Sequence, residues 1–185
     1  RSGDGFFELE ARLPFSEAQI NATARYLVQL PPEYDARRRY PTIITLHGSG
    51  TTPLQQIDWW AGIKTKNGRR EGQGGRHGVI VISPEWSEKT QLEYRYSAKE
   101  HSLILAVLRD ASRQFSIDSN RVFLSGHSMG GDAAWDIGLS HPDLWAGIIV
   151  LSGKAGRFVH HYHPNAQTLP FYVVCGGLDH TTFTA

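Results

Sequence analysis

Five short apolar runs, separated by segments of helix length, constrain the fold of this chain more than any other feature of its sequence. The runs are Thr42 to Leu46, Val79 to Ile82, Val122 to Leu124, Ile148 to Leu151 and Phe171 to Cys175. Their residues do not alternate between apolar and polar, so a strand built from each run has two faces to bury rather than one. Strands of this kind that alternate with helices form a parallel sheet with helices on both faces. The sequence therefore predicts an α/β protein with three layers.

The first thirty residues predict a different kind of pairing at one end of the sheet. Two runs rich in β-forming residues, Phe6 to Leu13 and Ala24 to Leu30, are separated by the polar stretch Pro14 to Asn21. Two such runs with a polar connection between them are typical of antiparallel neighbours. We therefore expect a mostly parallel sheet with antiparallel N-terminal strands.

Local signals mark two of the covering helices. Ser97 and Glu100 have the spacing of a capping box, in which each side chain accepts a hydrogen bond from a backbone N–H at the start of a helix. Apolar residues at three-to-four spacing follow, the pattern of a helix with one buried face. A second helix is predicted from just after Ser128 to about Ser140, because Pro142 disfavours helical geometry in the residue before it. The glycine-rich segment Gly68 to Gly78 is predicted to be a flexible loop.

Composition excludes several classes of protein. With 185 residues, of which 40% are hydrophobic and 20% charged, residues 1–185 fit a single globular domain. The formal net charge is +1, so the chain lacks the surplus of Lys and Arg that binding to nucleic-acid phosphates requires. No nucleic-acid partner is therefore expected. No apolar segment approaches the ~20 residues that span a bilayer. The compartment stays open, because the chain begins at Arg1 and a removed leader would be compatible with that start. The single cysteine, Cys175, is expected to be a buried, inert thiol.

The pattern G-x-S-x-G at Gly126, Ser128 and Gly130 is the strongest chemical signal in the chain. An apolar strand precedes it and a helix is predicted after it, which is the context of a nucleophile elbow. In such an elbow the serine adopts a strained backbone conformation in a very tight turn, so side chains two residues to either side must be absent. The two glycines meet that requirement. Ser128 is therefore the candidate nucleophile.

A second glycine-rich segment predicts the groups that would stabilise negative charge during acyl transfer. Leu46 to Gly50 follows the first parallel strand, and its glycines allow the backbone to approach a substrate closely. Two preorganised N–H donors stabilise an oxyanion far better than water does. We expect these donors to be the backbone N–H groups of Ser49 and Met129. His47, which precedes the loop, is interpreted as a structural residue that forms hydrogen bonds.

Asp179 is the candidate acid of the site. It lies just past the last apolar run, 51 residues after Ser128, and the chain order of nucleophile before acid is that of this architecture. Such a carboxylate holds an imidazole in the correct tautomer and stabilises the imidazolium that forms. The simpler alternative is a loop aspartate that caps a turn.

These three landmarks resemble those of the α/β-hydrolase superfamily, in the same order along the chain. Within it, the sequence is most similar to the esterase branch that contains phospholipase/carboxylesterases, polyhydroxybutyrate depolymerases and feruloyl esterases, and to related predicted peptidases. The segments Tyr26 to Tyr34, Ile117 to Arg121 and Ser140 to Trp145 also look like that branch. The resemblance implies hydrolysis of a small-molecule ester without a metal or organic cofactor.

The histidine that completes a triad in that branch has no counterpart at its usual place. It follows one more strand after the acid, and this chain has six residues after Asp179. His127 and His180 each adjoin another member of the proposed site, and His160, His161 and His163 form a run that is interpreted as an exposed polar segment. We expect the natural polypeptide to continue past Ala185, so that residues 1–185 lack the last strand and helix of the domain and are inactive by themselves.

The sequence leaves three functions open. The first is an esterase that forms an acyl-enzyme on Ser128, and the second is a serine peptidase of the prolyl-oligopeptidase kind, built from the same landmarks. The third is a binding module that has kept the fold and lost the chemistry, which the missing histidine would explain and the intact elbow argues against.

Overall fold

The computed structural model describes residues 4–13 and 23–177, which form a seven-stranded sheet with helices on both faces. The strands are β1 (Phe6–Arg12), β2 (Thr23–Gln29), β3 (Tyr40–Leu46), β4 (Ile80–Pro84), β5 (Ile117–His127), β6 (Gly147–Leu151) and β7 (Phe171–Val174). Their order across the sheet is β1-β2-β4-β3-β5-β6-β7. The pairs from β4 to β7 are parallel, and β2 pairs antiparallel with both β1 and β4. The predicted mostly parallel sheet with antiparallel opening strands is confirmed.

Within residues 4–13 and 23–177, five helices and two short 3₁₀ helices connect these strands. The helices are α1 (Pro53–Ala61), α2 (Gln73–Arg76), α3 (Ala98–Gln114), α4 (Met129–Ser140) and α5 (Val159–Tyr162), and the 3₁₀ helices are Pro142–Leu144 and His163–Gln167. Within the described ranges no helix has both the length and the apolar character that crossing a membrane would require.

Successive residues of the central strands face two different helical layers. In β4, Ile80 and Ile82 belong to the main core with residues of α3 and α4, whereas Val81 between them packs with Ile57 and Ala61 of α1. All five side chains are buried. This alternation explains the unbroken apolar runs in the sequence, because both faces of the strand exclude water. The parallel pairing of β3 with β5 places the carboxyl ends of these two strands side by side at one edge of the sheet.

The helix signals in the sequence correspond to helices α3 and α4. The Glu100 carboxylate accepts a hydrogen bond from the Ser97 N–H at 2.9 Å, and the Ser97 hydroxyl accepts one from the Glu100 N–H at 3.3 Å, so the capping box is formed. Helix α4 has the predicted bounds. Helix α1 was not predicted, although Thr52 and Gln55 form a capping box and Pro53 occupies the first helical position. That combination is a recognisable start signal.

Two local predictions were wrong or incomplete. Cys175 is exposed rather than buried, because β7 is the outermost strand of the described sheet and its side chains at Tyr172 and Val174 are 67% and 42% exposed. The segment Gly68 to Gly78 contains helix α2 rather than only loop. Its Gly72 backbone lies so close to that of Gly62 that a side chain at either position would overlap the other backbone.

Candidate active site

Ser128 occupies a strained turn between strand β5 and helix α4. Its φ of 53° and ψ of −120° lie in a region that costs a non-glycine residue on the order of 1–3 kcal/mol. Three hydrogen bonds hold it there. The Ser128 N–H donates to the Leu151 carbonyl at 2.9 Å, and the Ser128 carbonyl accepts from the N–H groups of Gly131 at 2.8 Å and Asp132 at 3.0 Å. Strain that is maintained in this way is a mark of functional residues.

The glycines around Ser128 are present because backbone fills the space that a side chain would need. A β-carbon on Gly126 would overlap the carbonyl oxygen of Gly130, and one on Gly130 would overlap the carbonyl oxygen of Leu46. A β-carbon on Gly131 would lie 2.8 Å from the α-carbon of Gly153. The first turn of α4 is therefore packed backbone to backbone against β3, β5 and the loop after β6. The steric reason given for the elbow glycines in the sequence agrees with this geometry.

The loop after β3 passes directly beside the nucleophile. A β-carbon on Gly48 would lie 3.2 Å from the Ser128 β-carbon and 3.1 Å from the His127 carbonyl oxygen. Ser49 follows in the same turn, and Met129 is the first residue of α4. Within the part of the chain that the structure describes, neither the Ser49 N–H nor the Met129 N–H donates a hydrogen bond to another residue. Both N–H groups near Ser128 are thus left without an acceptor among the described residues.

His47 supports this loop and does not line the cavity beside Ser128. Its Nδ1 lies 3.0 Å from the Gly48 carbonyl oxygen, and the His47 carbonyl accepts a hydrogen bond from the Trp86 indole N–H at 3.2 Å. Burial lowers the pKa of His47 below its ordinary value, which favours the neutral ring. A neutral ring beside a carbonyl carries its proton on the nitrogen that faces it, which here is Nδ1. The sequence interpretation of His47 as a structural hydrogen-bonding residue agrees with these contacts.

Ser128 opens into a cavity of about 390 Å³. The cavity is lined by Leu92, Glu93, Tyr94, Tyr96, Ser128, Met129, Asp132, Ser152 and Lys154. The Asp132 carboxylate accepts a hydrogen bond from the Lys154 N–H at 2.6 Å, and burial raises the pKa of Asp132 above its usual range. The wall combines aromatic rings with groups of both charges, so it suits a small polar organic molecule rather than a purely aliphatic one.

The other residues considered for the site from the sequence are Asp179 and several histidines. Asp179 lies outside the described residues, and so does His180. The His127 ring packs against the Trp59 ring at a tilt of 36°, with ring centroids 4.6 Å apart. His160 and His161 are exposed on α5. Among residues 4–13 and 23–177 no group of three His, Cys, Asp or Glu side chains is close enough to hold a metal ion.

A buried polar cluster behind the cavity was missed in the sequence. The Tyr94 hydroxyl donates to Asp136 Oδ2 at 2.8 Å, and His101 Nε2 lies 2.9 Å from the same oxygen. His101 Nδ1 is in turn 3.3 Å from His141 Nε2. Asp136 is 2% exposed, and burial raises the pKa of Tyr94 far above its ordinary value. The cluster joins a wall of the cavity to the helix that carries Ser128.

Replacing Tyr94 by phenylalanine should therefore destabilise the protein by about 1–3 kcal/mol, because a buried carboxyl loses a donor. The ring and its contact with Tyr96, at 4.3 Å between centroids, are kept. Urea unfolding measures the change. Tyr172→Phe is the matched control when both variants are measured in residues 1–185, since that side chain is 67% exposed there and the same change should stay within about 0.5 kcal/mol. Equal stability of the two variants would show that the Tyr94 hydroxyl contributes nothing to the stability of the fold.

The fold and the elbow define the class of this protein. A mostly parallel sheet with helices on both faces and a serine at a strained strand-to-helix turn is the α/β-hydrolase fold. The chain matches the sequence model of the Esterase family over residues 17–157, about three quarters of its length, and it belongs to that family.

Individual proteins similar to this chain are hydrolases. Dipeptidyl-peptidase 5 of Porphyromonas gingivalis is 24% identical over 129 residues, which are 68% of this chain and 19% of that protein. "Probable feruloyl esterase C" of Aspergillus clavatus is 24% identical over 133 residues, 69% of this chain and 45% of that protein. The crystal structure of a thermostable esterase aligns with a TM-score of 0.67 at 22% identity, covering 92% of this chain and 46% of the other. The chain thus spans less than half the length of each.

Proposed function

We propose that this protein hydrolyses carboxylic esters of small molecules through an acyl-enzyme on Ser128. One observation carries the proposal: a strained serine at the N-terminus of a helix lies beside two backbone N–H groups that have no acceptor among the described residues. A serine hydroxyl that attacks a carbonyl needs this arrangement of exposed oxygen and nearby donors.

In the proposed first step, Ser128 Oγ attacks the ester carbonyl carbon while a histidine removes the hydroxyl proton. The carbonyl oxygen becomes an oxyanion, which accepts hydrogen bonds from the Ser49 and Met129 N–H groups. The partial positive charge at the N-terminus of α4 favours the same oxyanion. Collapse of the intermediate breaks the bond to the alcohol oxygen, which leaves with the proton from the imidazolium. Water then attacks the acyl-enzyme by the same route and releases the acid.

We place the histidine of this mechanism past Ala185, and Asp179 as the carboxylate that orients it. The family resemblance and the chain order of serine, acid and histidine support this assignment. The cavity beside Ser128 receives the substrate, with the aromatic rings of Tyr94 and Tyr96 on one wall.

Fluorophosphonate labelling tests the proposal directly, because the reagent reacts with activated serines. Ser128 Oγ displaces fluoride from phosphorus and keeps the phosphonyl group, which peptide mass spectrometry locates. We expect labelling of Ser128 and hydrolysis of p-nitrophenyl acetate by the encoded polypeptide extended past Ala185. Residues 1–185 expressed by themselves should turn over at least about 10³-fold more slowly, because they lack the base.

The controls separate the competing functions. A short peptide substrate cleaved with higher kcat/KM than any ester of graded acyl length would identify a peptidase. If the extended polypeptide neither reacts with the fluorophosphonate nor hydrolyses esters, the protein is a binding module and the proposal is wrong.

A further inference from the structure

The carbonyl oxygen of Gly48 accepts an unusual number of hydrogen bonds for a loop residue. His47 Nδ1 lies 3.0 Å from it, the Thr51 hydroxyl donates to it at 2.9 Å, and the Thr51 N–H donates to it at 3.4 Å. A carbonyl oxygen has two lone pairs, so three donors that converge on it fix its direction closely. No step of the proposed reaction uses this oxygen.

The Gly48 carbonyl and the Ser49 N–H belong to one peptide unit. A trans peptide is planar, and its C=O and N–H bonds point in opposite directions. Groups that hold the Gly48 oxygen therefore also set the direction of the Ser49 N–H. That N–H is one of the two donors that flank Ser128.

The backbone turn alone holds this peptide weakly. Gly48 to Thr51 form a β-turn in which Gly50 has a φ of 69° while Ser49 does not have a positive φ, which is the pattern of a type II turn. Its hydrogen bond is 3.4 Å long, beyond the usual range for N–H···O. The side-chain bonds from Thr51 and His47 are both at normal length. The side chains therefore make the shorter contacts on this oxygen.

The residues that carry these two side chains adjoin secondary-structure elements on either side of the turn. His47 directly follows β3, and the residue is 6% exposed. Thr51 precedes the capped start of α1, and α1 is joined to β3 by the Gln56 amide, which donates to the Thr45 hydroxyl at 2.8 Å inside the core. The ends of the turn are thus fixed to the sheet beneath it.

We propose that Thr51 and His47 are positioning residues for the oxyanion donor: by holding the Gly48 carbonyl they keep the Ser49 N–H directed at the oxygen that forms beside Ser128. The inference rests on the proposed function and adds two side chains that never touch the substrate. Their contribution arises in the transition state, when the oxyanion forms, and little of it is present in the bound ester.

Thr51→Val and Thr51→Ser test the inference in the polypeptide extended past Ala185. Valine keeps the shape of threonine without the hydroxyl, whereas serine keeps the hydroxyl. Loss of a whole oxyanion donor costs about 10²–10³ in kcat, so a misdirected donor in Thr51→Val should lower kcat by about tenfold with KM within about twofold. Thr51→Ser should keep at least about half of the activity. The affinity of a boronic acid inhibitor that mimics the intermediate should fall in parallel with kcat/KM.

Thr65→Val is the matched control, because the Thr65 hydroxyl also donates to a carbonyl at 2.9 Å, that of Arg69, in a turn of another loop. It should leave kcat unchanged. If Thr51→Val and Thr51→Ser have equal kcat, or if Thr51→Val changes KM alone, the positioning role is wrong.

Amide NMR of the fluorophosphonate adduct gives a second readout that does not depend on turnover. The phosphoryl oxygen of the adduct occupies the position of the oxyanion, so the Ser49 and Met129 amide protons should both move downfield on labelling. In Thr51→Val the Ser49 shift should shrink while that of Met129 stays. Equal shifts in both proteins would overturn this inference and leave the proposed function intact, whereas failure to label Ser128 would overturn the proposed function itself.

Discussion

Replacing Ser128 by alanine is expected to lower kcat/KM for p-nitrophenyl esters by about 10⁴-fold or more. The alanine enzyme has no nucleophile, and what catalysis remains comes from the oxyanion donors and from substrate binding. The substitution removes an oxygen from a half-buried side chain and keeps the backbone, so the fold should be retained. Steady-state kinetics on the polypeptide extended past Ala185 measure the change, and circular dichroism verifies the fold.

Ser112→Ala provides the comparison for this variant. The Ser112 hydroxyl is exposed on α3 and donates to the Leu108 carbonyl of the same helix at 2.7 Å. Its removal should leave kcat/KM within about twofold of the parent protein. If Ser128→Ala hydrolysed esters as fast as Ser112→Ala, the nucleophile would have to be another group, and the acyl-enzyme mechanism would be wrong.

The largest effect on stability is expected from Gly126→Ala. The added β-carbon would overlap the carbonyl oxygen of Gly130, which is backbone of α4 and has no rotamer by which to move away. Relief requires that the helix shift away from β5, which would break its close packing. We expect a loss of at least about 3 kcal/mol in the free energy of unfolding, measured by urea denaturation, together with loss of fluorophosphonate labelling.

Gly75→Ala is the control for this substitution, since it adds the same methyl group in helix α2. The nearest heavy atom to the new carbon would be the Pro32 δ-carbon at 3.5 Å, an ordinary contact. Alanine in place of a helical glycine should change stability by no more than about 1 kcal/mol, in the stabilising direction. A Gly126→Ala protein as stable as Gly75→Ala would mean that the elbow does not need an empty position there.

The parts of the site that could be predicted from sequence depend on local sterics. The pattern of Gly126, Ser128 and Gly130 describes a turn in which a side chain at either glycine would overlap backbone, so the motif between a strand and a helix predicts the conformation. The same holds for the capping box at Ser97, which acts within one helical turn. Part of each structure is decided by contacts within a short stretch of sequence, such as that between Gly126 and Gly130.

The parts that could not be predicted depend on contacts between distant segments. The Tyr94 hydroxyl meets Asp136 across 42 residues, and no periodic pattern links the two. The hydrogen bonds on the Gly48 carbonyl are local in sequence, yet they depend on the turn type, which G-S-G-T does not fix. Cys175 was predicted to be buried because its run is apolar, but its burial depends on which neighbours cover the strand.

The turn that holds Ser128 is packed through main-chain contacts at Gly126, at Gly130 and between Gly131 and Gly153. These glycines have no side chains whose replacement could change the orientation of Ser128 by small amounts. Under the proposed function, we expect substrate preference to depend on the side chains that line the cavity, in the segments Leu92 to Tyr96 and Ser152 to Lys154. Mutant libraries intended to alter selectivity should vary those two segments and leave the four glycines unchanged.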